Sequence, residues 1–413
     1  MTRQENNPPP TPELREEHLQ AYKFFERLHG LFDALRPCAR HFNRKLHFDE
    51  YALGVLFYFF NPAITSLRGL QMATGFKKVR KALGIRRMSL GSMSESVRLF
   101  DPDLLASVFA GLVEDASERK VDRRLHGLRQ VLTVADGTIL PALPRMAWAV
   151  WLHETDRGAK AHVQFEVCKD TPAHVEVTEG NASEARHLEA SLEPGRLYVM
   201  DRGYVDFDLF REIVEADSSF VIRMNSNTVT ETVEDIPLSE EAEAAGVRTD
   251  RIVRMGWKGS RKKFDRPVRF VEVHVPARRP RGLAYPVKKV SSKKGFRRER
   301  GKAYTLRIAT DRLDLPADVI ALIYQYRWRV ELFFRLLKSV LGCRHLLSDS
   351  IEGVGIQVYC ALIASLLLAE YTGVKPSKRL YELFALYLQG WVEDDELADR
   401  LAAFKRQHAK RAV

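Results

Sequence analysis

Between Leu322 and Gly342 the sequence LIYQYRWRVELFFRLLKSVLG carries four polar side chains at spacings that a helix turns into one stripe. At about 100° per residue, with Tyr324 set to zero, Arg327 falls near about −60°, Glu331 near about −20° and Lys338 near about −40°. Val330, Phe333, Phe334, Leu337, Val340 and Leu341 occupy the arc from about 160° to about 280°, the side that would pack on a sheet. The pattern predicts one helix, closed by Gly342 as a C-cap, with a buried face and a reactive face. On the reactive face the carboxylate of Glu331 stands among a phenol, a guanidinium and an ammonium. Such a set can hold a metal at the carboxylate and grip phosphates along about 21 Å of helix. Taken alone, the stripe reads better as a solvated face, with Arg327 and Glu331 as an i,i+4 ion pair worth tenths of a kcal/mol.

Two further carboxylates change that balance. Asp136, in RQVLTVADGTIL (129–140), and Asp201, in RLYVMDRGYVDFDLFREIVEA (196–216), each fall at or just past the end of an apolar strand. A carboxylate there is costly unless it is paired or binds a cation. Three such groups can bring two Mg2+ ions roughly 3.5–4 Å apart, one activating an attacking oxygen and the other stabilising the leaving one. That is the chemistry of in-line phosphoryl transfer on a nucleic-acid backbone.

The elements that must position these groups are legible from texture. Up to about Pro12 the chain is polar and proline-rich and should be disordered. From there to about Gly127 the pattern is helical, and the run Ile64 to Phe100, with Arg68, Lys77, Lys78, Arg80, Lys81, Arg86 and Arg87, suits a DNA-binding helix-turn-helix or a solvated basic face equally well. Strand-like segments follow at 129–140, 162–167, 174–179, 196–200 and 218–225, with a sharp turn at Gly203 and an amphipathic helix after it. Strands first, then strand alternating with helix, indicate an α/β core with a mixed sheet flanked by helices. A β-rich segment with strands at 268–275 and 304–308 interrupts it, and the chain after Gly373 is helical. The domain expectation is a tail (1–12), a helical N-terminal domain (13–127), a catalytic domain (128–225 and 305–372), an insertion (226–304) and a C-terminal helical region (373–413).

The chain has 65 Lys or Arg against 54 Asp or Glu, a net charge of +11. Between Arg251 and Lys302 lie 19 basic and 3 acidic residues, so this one segment exceeds the charge of the whole. Contact with phosphate backbones follows as its expected role. Cys38, Cys168, Cys343 and Cys360 lack close spacing and read as reduced thiols. His153, His162, His174 and His187 are too scattered for a metal set. Glu166 and Glu176 read as surface pairs on strands, Asp206 and Asp208 as first-turn acids of a helix, and Met88 and Met93 as core. The N-terminal MTRQENNPPPTPEL has no signal-peptide core, and Gly353 to Ala369, interrupted by Gln357, reads as a buried helix. A cytoplasmic, nucleoid-associated protein without a membrane is the expectation.

Tyr324-x2-Arg327-x3-Glu331-x6-Lys338 resembles the Tyr-Arg-Glu-Lys signature of DDE transposases of the insertion-sequence-four family. MDRGYVDFDLF (200–210) resembles that family's second-aspartate motif and VADGT (134–138) its first, and the resemblance covers roughly 129 to 339. It implies a ribonuclease-H-like catalytic core with Asp136 on the first strand, Asp201 just after the fourth and Glu331 on a late helix, interrupted by a β-rich insertion. It also implies Asp136, Asp201 and Glu331 as catalytic metal ligands for Mg2+, with Mn2+ as substitute. Tyr324, Arg327 and Lys338 would contact DNA phosphates, and Trp257 is a candidate platform for a flipped base. The partners implied are double-stranded transposon ends and target DNA, with the protein a homodimer on the ends. The implied function is phosphodiester cleavage and 3′-hydroxyl strand transfer. The competing readings are a catalytically silent DNA-binding relative and a ribonuclease-H-like nuclease or resolvase that cuts without joining.

Overall fold

The computed structural model describes residues 32, 35, 45–61, 64, 66–114, 121–141, 146, 148–149, 158–257, 259, 263–277, 303–339, 346–374, 376–388 and 390–409. The expected tail to Pro12, most of the basic stretch (278–302), Cys38, Cys343, His153, Val340, Leu341 and the Gly342 cap lie outside them. Among the described residues, five helices precede the first strand: α1 (Phe48–Phe60), α2 (Leu67–Ala73), α3 (Lys77–Leu83), α4 (Leu90–Ser96) and α5 (Pro102–Glu114). α2 and α4 start at Ser66 and Ser89, whose hydroxyls accept from Gly69 N and Ser92 N, and α3 ends on Gly84 in the left-handed region at φ 63°. Of the basic run 68–87, Arg68 is carried on α2 and Lys77, Lys78, Arg80 and Lys81 on α3, while Arg86 and Arg87 lie in the chain after it. Met88 and Met93 are buried, as their apolar surroundings require.

Then come β1 (Val131–Pro141), β2 (Gly158–Glu166), β3 (Thr171–Glu179), α6 (Glu184–Ala190), β4 (Arg196–Met200), α7 (Phe207–Glu215) and β5 (Ser219–Arg223). β6 (Thr230–Asp235), α8 (Glu240–Ala244), β7 (Val247–Met255), β8 (Val268–Val275) and β9 (Tyr304–Thr310) follow, and the chain finishes with α9 (Ala317–Gln325), α10 (Trp328–Ser339), α11 (Ile351–Thr372), α12 (Lys378–Leu388) and α13 (Asp394–Ala409). The strands form one nine-stranded mixed sheet in the order β3-β2-β1-β4-β5-β9-β8-β7-β6. β1 to β3 are antiparallel, β4 and β5 run parallel to β1, and β9 returns antiparallel to β5. The fold is mixed α/β, as the alternation of patterns implied.

Central strands are apolar on both faces because both are covered. On one side α6 and α7 bury Leu188, Leu209, Phe210 and Ile213 against Tyr198, Met200, Phe220 and Ile222. On the other, α1, α5, α10 and α11 pack with Leu132, Val134, Val163 and Phe165 into the larger core. α11 is long and apolar enough to cross a membrane by length and composition, but most of it is buried inside the protein. Gln357, the polar residue within it, is buried and its side-chain oxygen accepts from Leu347 N at 2.8 Å, which removes the cost of placing an amide there.

The strands of 226–304 extend the core sheet, since β8 pairs with β9 and β9 with β5. One expectation changes: the single helix from Leu322 is two helices. A tight turn at Tyr326–Arg327 separates α9 from α10, with Tyr326 N bonded to Ile323 O and Arg327 N to Tyr324 O, bonds one residue shorter than α-helical. Side chains hold the break open. The Tyr326 hydroxyl accepts from Asp122 N at 3.2 Å, and Arg329 lies over the Tyr326 ring and donates to Val167 O at 3.1 Å.

Candidate active site

Asp136 lies in β1 opposite Val163 of β2, one residue beyond the point where β4 stops pairing with β1. Its carboxylate accepts from the N–H of Gly137 at 2.8 Å. Asp201 directly follows β4 and caps the 3-10 turn Arg202–Tyr204 by accepting from Arg202 N. Arg223, at the end of β5, approaches it at 3.9 Å. Glu331 is in the first turn of α10, which packs on the sheet through Phe333 against Phe165, ring centres 5.7 Å apart. Asp136 therefore lies within β1 and not at its end, because β2 goes on pairing with β1 to Pro141, whereas Asp201 lies just past the end of the neighbouring β4; α10 crosses beside them, so three segments distant in sequence meet.

Arg327 joins them. Its guanidinium is 3.1 Å from the Asp136 carboxylate with one terminal nitrogen and bonds Glu331 with the other. The bond to Glu331 is the i,i+4 pair that their spacing allows, and it survives the turn between α9 and α10. The side chain is only 14% exposed, so the ion pair works in a medium less polar than water. Burial pushes the Asp136 carboxyl up to about 6, Arg327 and the Gly137 N–H oppose the rise, and Glu184 and Asp201 add to it. Arg327 itself is opposed by burial but held above its usual range by Tyr324, Asp136, Glu331 and Asp201.

The other expected residues are distributed differently. Tyr324 closes α9 and is buried, which pushes its phenol up to about 12 against the pull of Arg327; it belongs to the core edge of the site and not to an open stripe. Lys338 sits near the end of α10, about two turns beyond Glu331, half-buried. Trp257 follows β7 and is 73% exposed. Asp206 caps α7 and Asp208 lies in its first turn, as expected of helix-start acids. Glu176 pairs with His187 at 2.8 Å, and Glu166 lies 3.9 Å from Arg196. His162 stacks on His187 and is pushed down to about 3 by burial and by the neighbouring His187, Lys160 and His174.

Among the described residues, no three carboxylates, imidazoles or thiols stand close enough to hold one ion in this conformation. The guanidinium of Arg327 lies between Asp136 and Glu331, where a cation would otherwise balance them. Sequence reasoning missed one acidic neighbour, Glu184. It opens α6 and extends to Gly137 and Gly203, where added Cβ atoms would meet its carboxylate oxygens at 2.8 and 3.2 Å. The signal was present only as the two small residues beside the aspartates.

The sequence is similar to proteins that carry names. A protein of Sinorhizobium fredii carrying the provisional name transposase y4zB is 28% identical over 242 residues, 58% of this chain and 60% of that one. The match therefore spans less than two thirds of that relative. "Probable transposase for insertion sequence element IS5377" of Geobacillus stearothermophilus is 25% identical over 285 residues, 69% of this chain and 68% of the relative. Among solved structures, a piggyBac transposase synaptic complex with hairpin DNA aligns with a TM-score of 0.39 and 11% identity over 94% of this chain and 82% of that one. Residues 127–367, well over half of the sequence and the stretch that holds all three carboxylates, match the family model described as "Transposase DDE domain", and the chain belongs to that family.

Proposed function

We propose that the protein is the transposase of a bacterial insertion sequence, of the insertion-sequence-four type. In this reading it binds transposon ends, cleaves phosphodiester bonds and joins the released 3′ hydroxyl to target DNA. The observation that carries this reading is the gathering of Asp136 and Glu331 about one buried guanidinium, with Asp201 on the adjacent strand end. The strand order β3-β2-β1-β4-β5, with Asp136 in the first strand and Asp201 after the fourth, supports a ribonuclease-H-like core.

The donor set fits a divalent cation. All three groups are carboxylates, the oxygen donors that Mg2+ and Mn2+ take, and Asp136 is desolvated enough to need a positive partner. Asp136, Asp201 and Glu331 would hold the metal, which would activate the attacking oxygen and stabilise the leaving one. The chain's own residues do the rest. Arg327 balances the carboxylates before DNA arrives and is free to transfer to a phosphate afterwards, since a guanidinium pairs with either in a forked geometry. Tyr324 and Lys338 flank the path as further phosphate contacts, and Trp257, exposed beyond β7, serves as the stacking platform. Duplex DNA is the partner, met by a homodimer that brings two ends together.

Asp136→Asn, Asp201→Asn or Glu331→Gln is expected to abolish Mg2+-dependent cleavage of end DNA and to leave specific DNA binding mostly intact. Gel assays of cleavage and mobility shift measure both. Retained cleavage in any one variant removes that residue from the metal set. Strand transfer of a pre-cleaved end into new DNA separates a transposase from a nuclease that cuts without joining.

A further inference from the structure

Glu184 is the first residue of α6, preceded by Ser183, whose hydroxyl accepts from Arg186 N. Its carboxylate reaches back over β1 at Gly137 and over the turn that follows β4. A Cβ on Gly137 would stand 2.8 Å from one oxygen, and a Cβ on Gly203 would stand 3.2 Å from the other. Neither glycine adopts positive φ, so backbone freedom does not explain them. What the missing side chain does at both positions is leave the carboxylate where it is: a Cβ on Gly137 would force it to shift, and one on Gly203 would press it by a few tenths of an ångström. Gly137 follows Asp136 directly and Gly203 follows Asp201 by two residues. One carboxylate thus lies against the backbone beside each aspartate, one oxygen to each.

The rest of its surroundings hold it there. Lys160 of β2 places its ammonium 3.4 Å from Glu184 and donates to Ala182 O at 2.9 Å, which ties the carboxylate to the chain entering α6. Tyr204, fully buried in the same turn as Gly203, closes the space beneath. Burial raises its phenol well above the usual range, and Glu184, Asp136 and Asp201 add to the rise. Glu184 is satisfied by Lys160 and not by the arginine that serves Asp136 and Glu331, so it remains in place when that arginine moves.

We infer that Glu184 is a positioning residue of the metal centre. Its carboxylate is a strut that sets the separation of the Asp136 strand and the Asp201 turn, and its charge adds to the field that draws a divalent cation. The inference rests on the metal-dependent reading above and adds a fourth acidic residue to it. It also gives a physical reason for the glycines in VADGT and MDRGY, which leave room for this side chain.

The test uses the full-length protein without DNA and titrates Mn2+ against it, following free Mn2+ by electron paramagnetic resonance. Glu184→Gln keeps the shape of the strut and removes its charge, Glu184→Asp keeps the charge and shortens the reach, and Asp136→Asn is the control. Expected are a Mn2+ dissociation constant raised about tenfold in Glu184→Gln, near wild type in Glu184→Asp, and raised at least as far in Asp136→Asn. In cleavage assays the Gln variant should need more Mg2+ but reach a near-normal rate at saturation, whereas the Asp variant should cleave slowly at any Mg2+ concentration. A merely structural residue would move the Gln and Asp variants alike, and that outcome overturns the inference. So does unchanged Mn2+ binding in Glu184→Gln. If Asp136→Asn is weakened in the same experiment, only the role of Glu184 falls; if that control also binds as wild type, the metal centre falls with it.

Discussion

Arg327 stands in for a cation between Asp136 and Glu331, and that substitution has a measurable signature. Removing it leaves two carboxylates facing each other in a partly desolvated site, one of them already pushed up to about 6 by burial. Arg327→Gln is therefore expected to lower the melting temperature in chelator, and millimolar Mg2+ should restore more of it than the same addition gives the wild type, because a ligand stabilises in proportion to its affinity for the folded state. Differential scanning fluorimetry with and without Mg2+ reads both numbers. Equal Mg2+ shifts in the two proteins would mean that guanidinium and metal do not compete. Lys338 belongs to a different part of the surface and should act as a phosphate contact: Lys338→Ala is expected to weaken DNA binding and to flatten its logarithmic salt dependence by about one counterion, measured by anisotropy across a salt series. The pairing of Arg327 with Glu331 was legible in their i,i+4 spacing. The turn at Tyr326 was not, because it is held by Asp122 and Val167, remote in sequence. Glu184 was silent for another reason: behind Ser183 it reads as an ordinary helix start.

Among the elements, β7 and β8 hold more of the site than their place in the sequence suggests. Arg269 of β8 is buried and donates to Asp250 of β7 at 2.9 Å and 2.6 Å. Its remaining terminal nitrogen donates to Leu313 O and Leu315 O, in the loop that leads into α9. The segment beyond β5 thereby fastens the start of the helix pair that carries Tyr324, Arg327 and Glu331. Asp250→Ala would leave the guanidinium buried and partly unpaired, at a cost of about 3–5 kcal/mol, visible as an earlier midpoint in urea unfolding. A cost below the range of surface pairs would show that water reaches Arg269 and that the anchor is weak. The strands at 268–275 and 304–308 were readable from alternation and β-branched content. Their membership of the core sheet was not, since pairing between β9 and β5 is a long-range choice that neither strand's pattern records.

For the whole molecule, α11 decides whether the helical N-terminal part is separable. The sequence suggested a boundary near Gly127, where helical texture gives way to strands. In the structure α11 packs against both sides of that boundary: Tyr359 meets Phe109 of α5 with ring centres 6.2 Å apart and donates its hydroxyl to Val175 O of β3. Gly355 lies against Pro102 so closely that a Cβ there would stand 3.2 Å away, and the Cys360 thiol approaches Ala52 O of α1 at 4.0 Å. One buried helix thus completes the cores of both parts, and one apolar cluster runs from the N-terminal helices through the sheet to α13. Texture shows where secondary structure changes, whereas a domain boundary requires that few contacts cross it. The full chain is accordingly expected to unfold in a single transition, while a fragment of residues 128–413, which keeps Asp136, Asp201 and Glu331, should expose the α1- and α5-facing sides of α11, bind an apolar dye and self-associate. Sedimentation of the fragment together with its thermal melt makes the comparison. A monodisperse fragment with a cooperative melt would show that α11 can be covered without the first five helices, and cleavage could then be studied on the catalytic part alone.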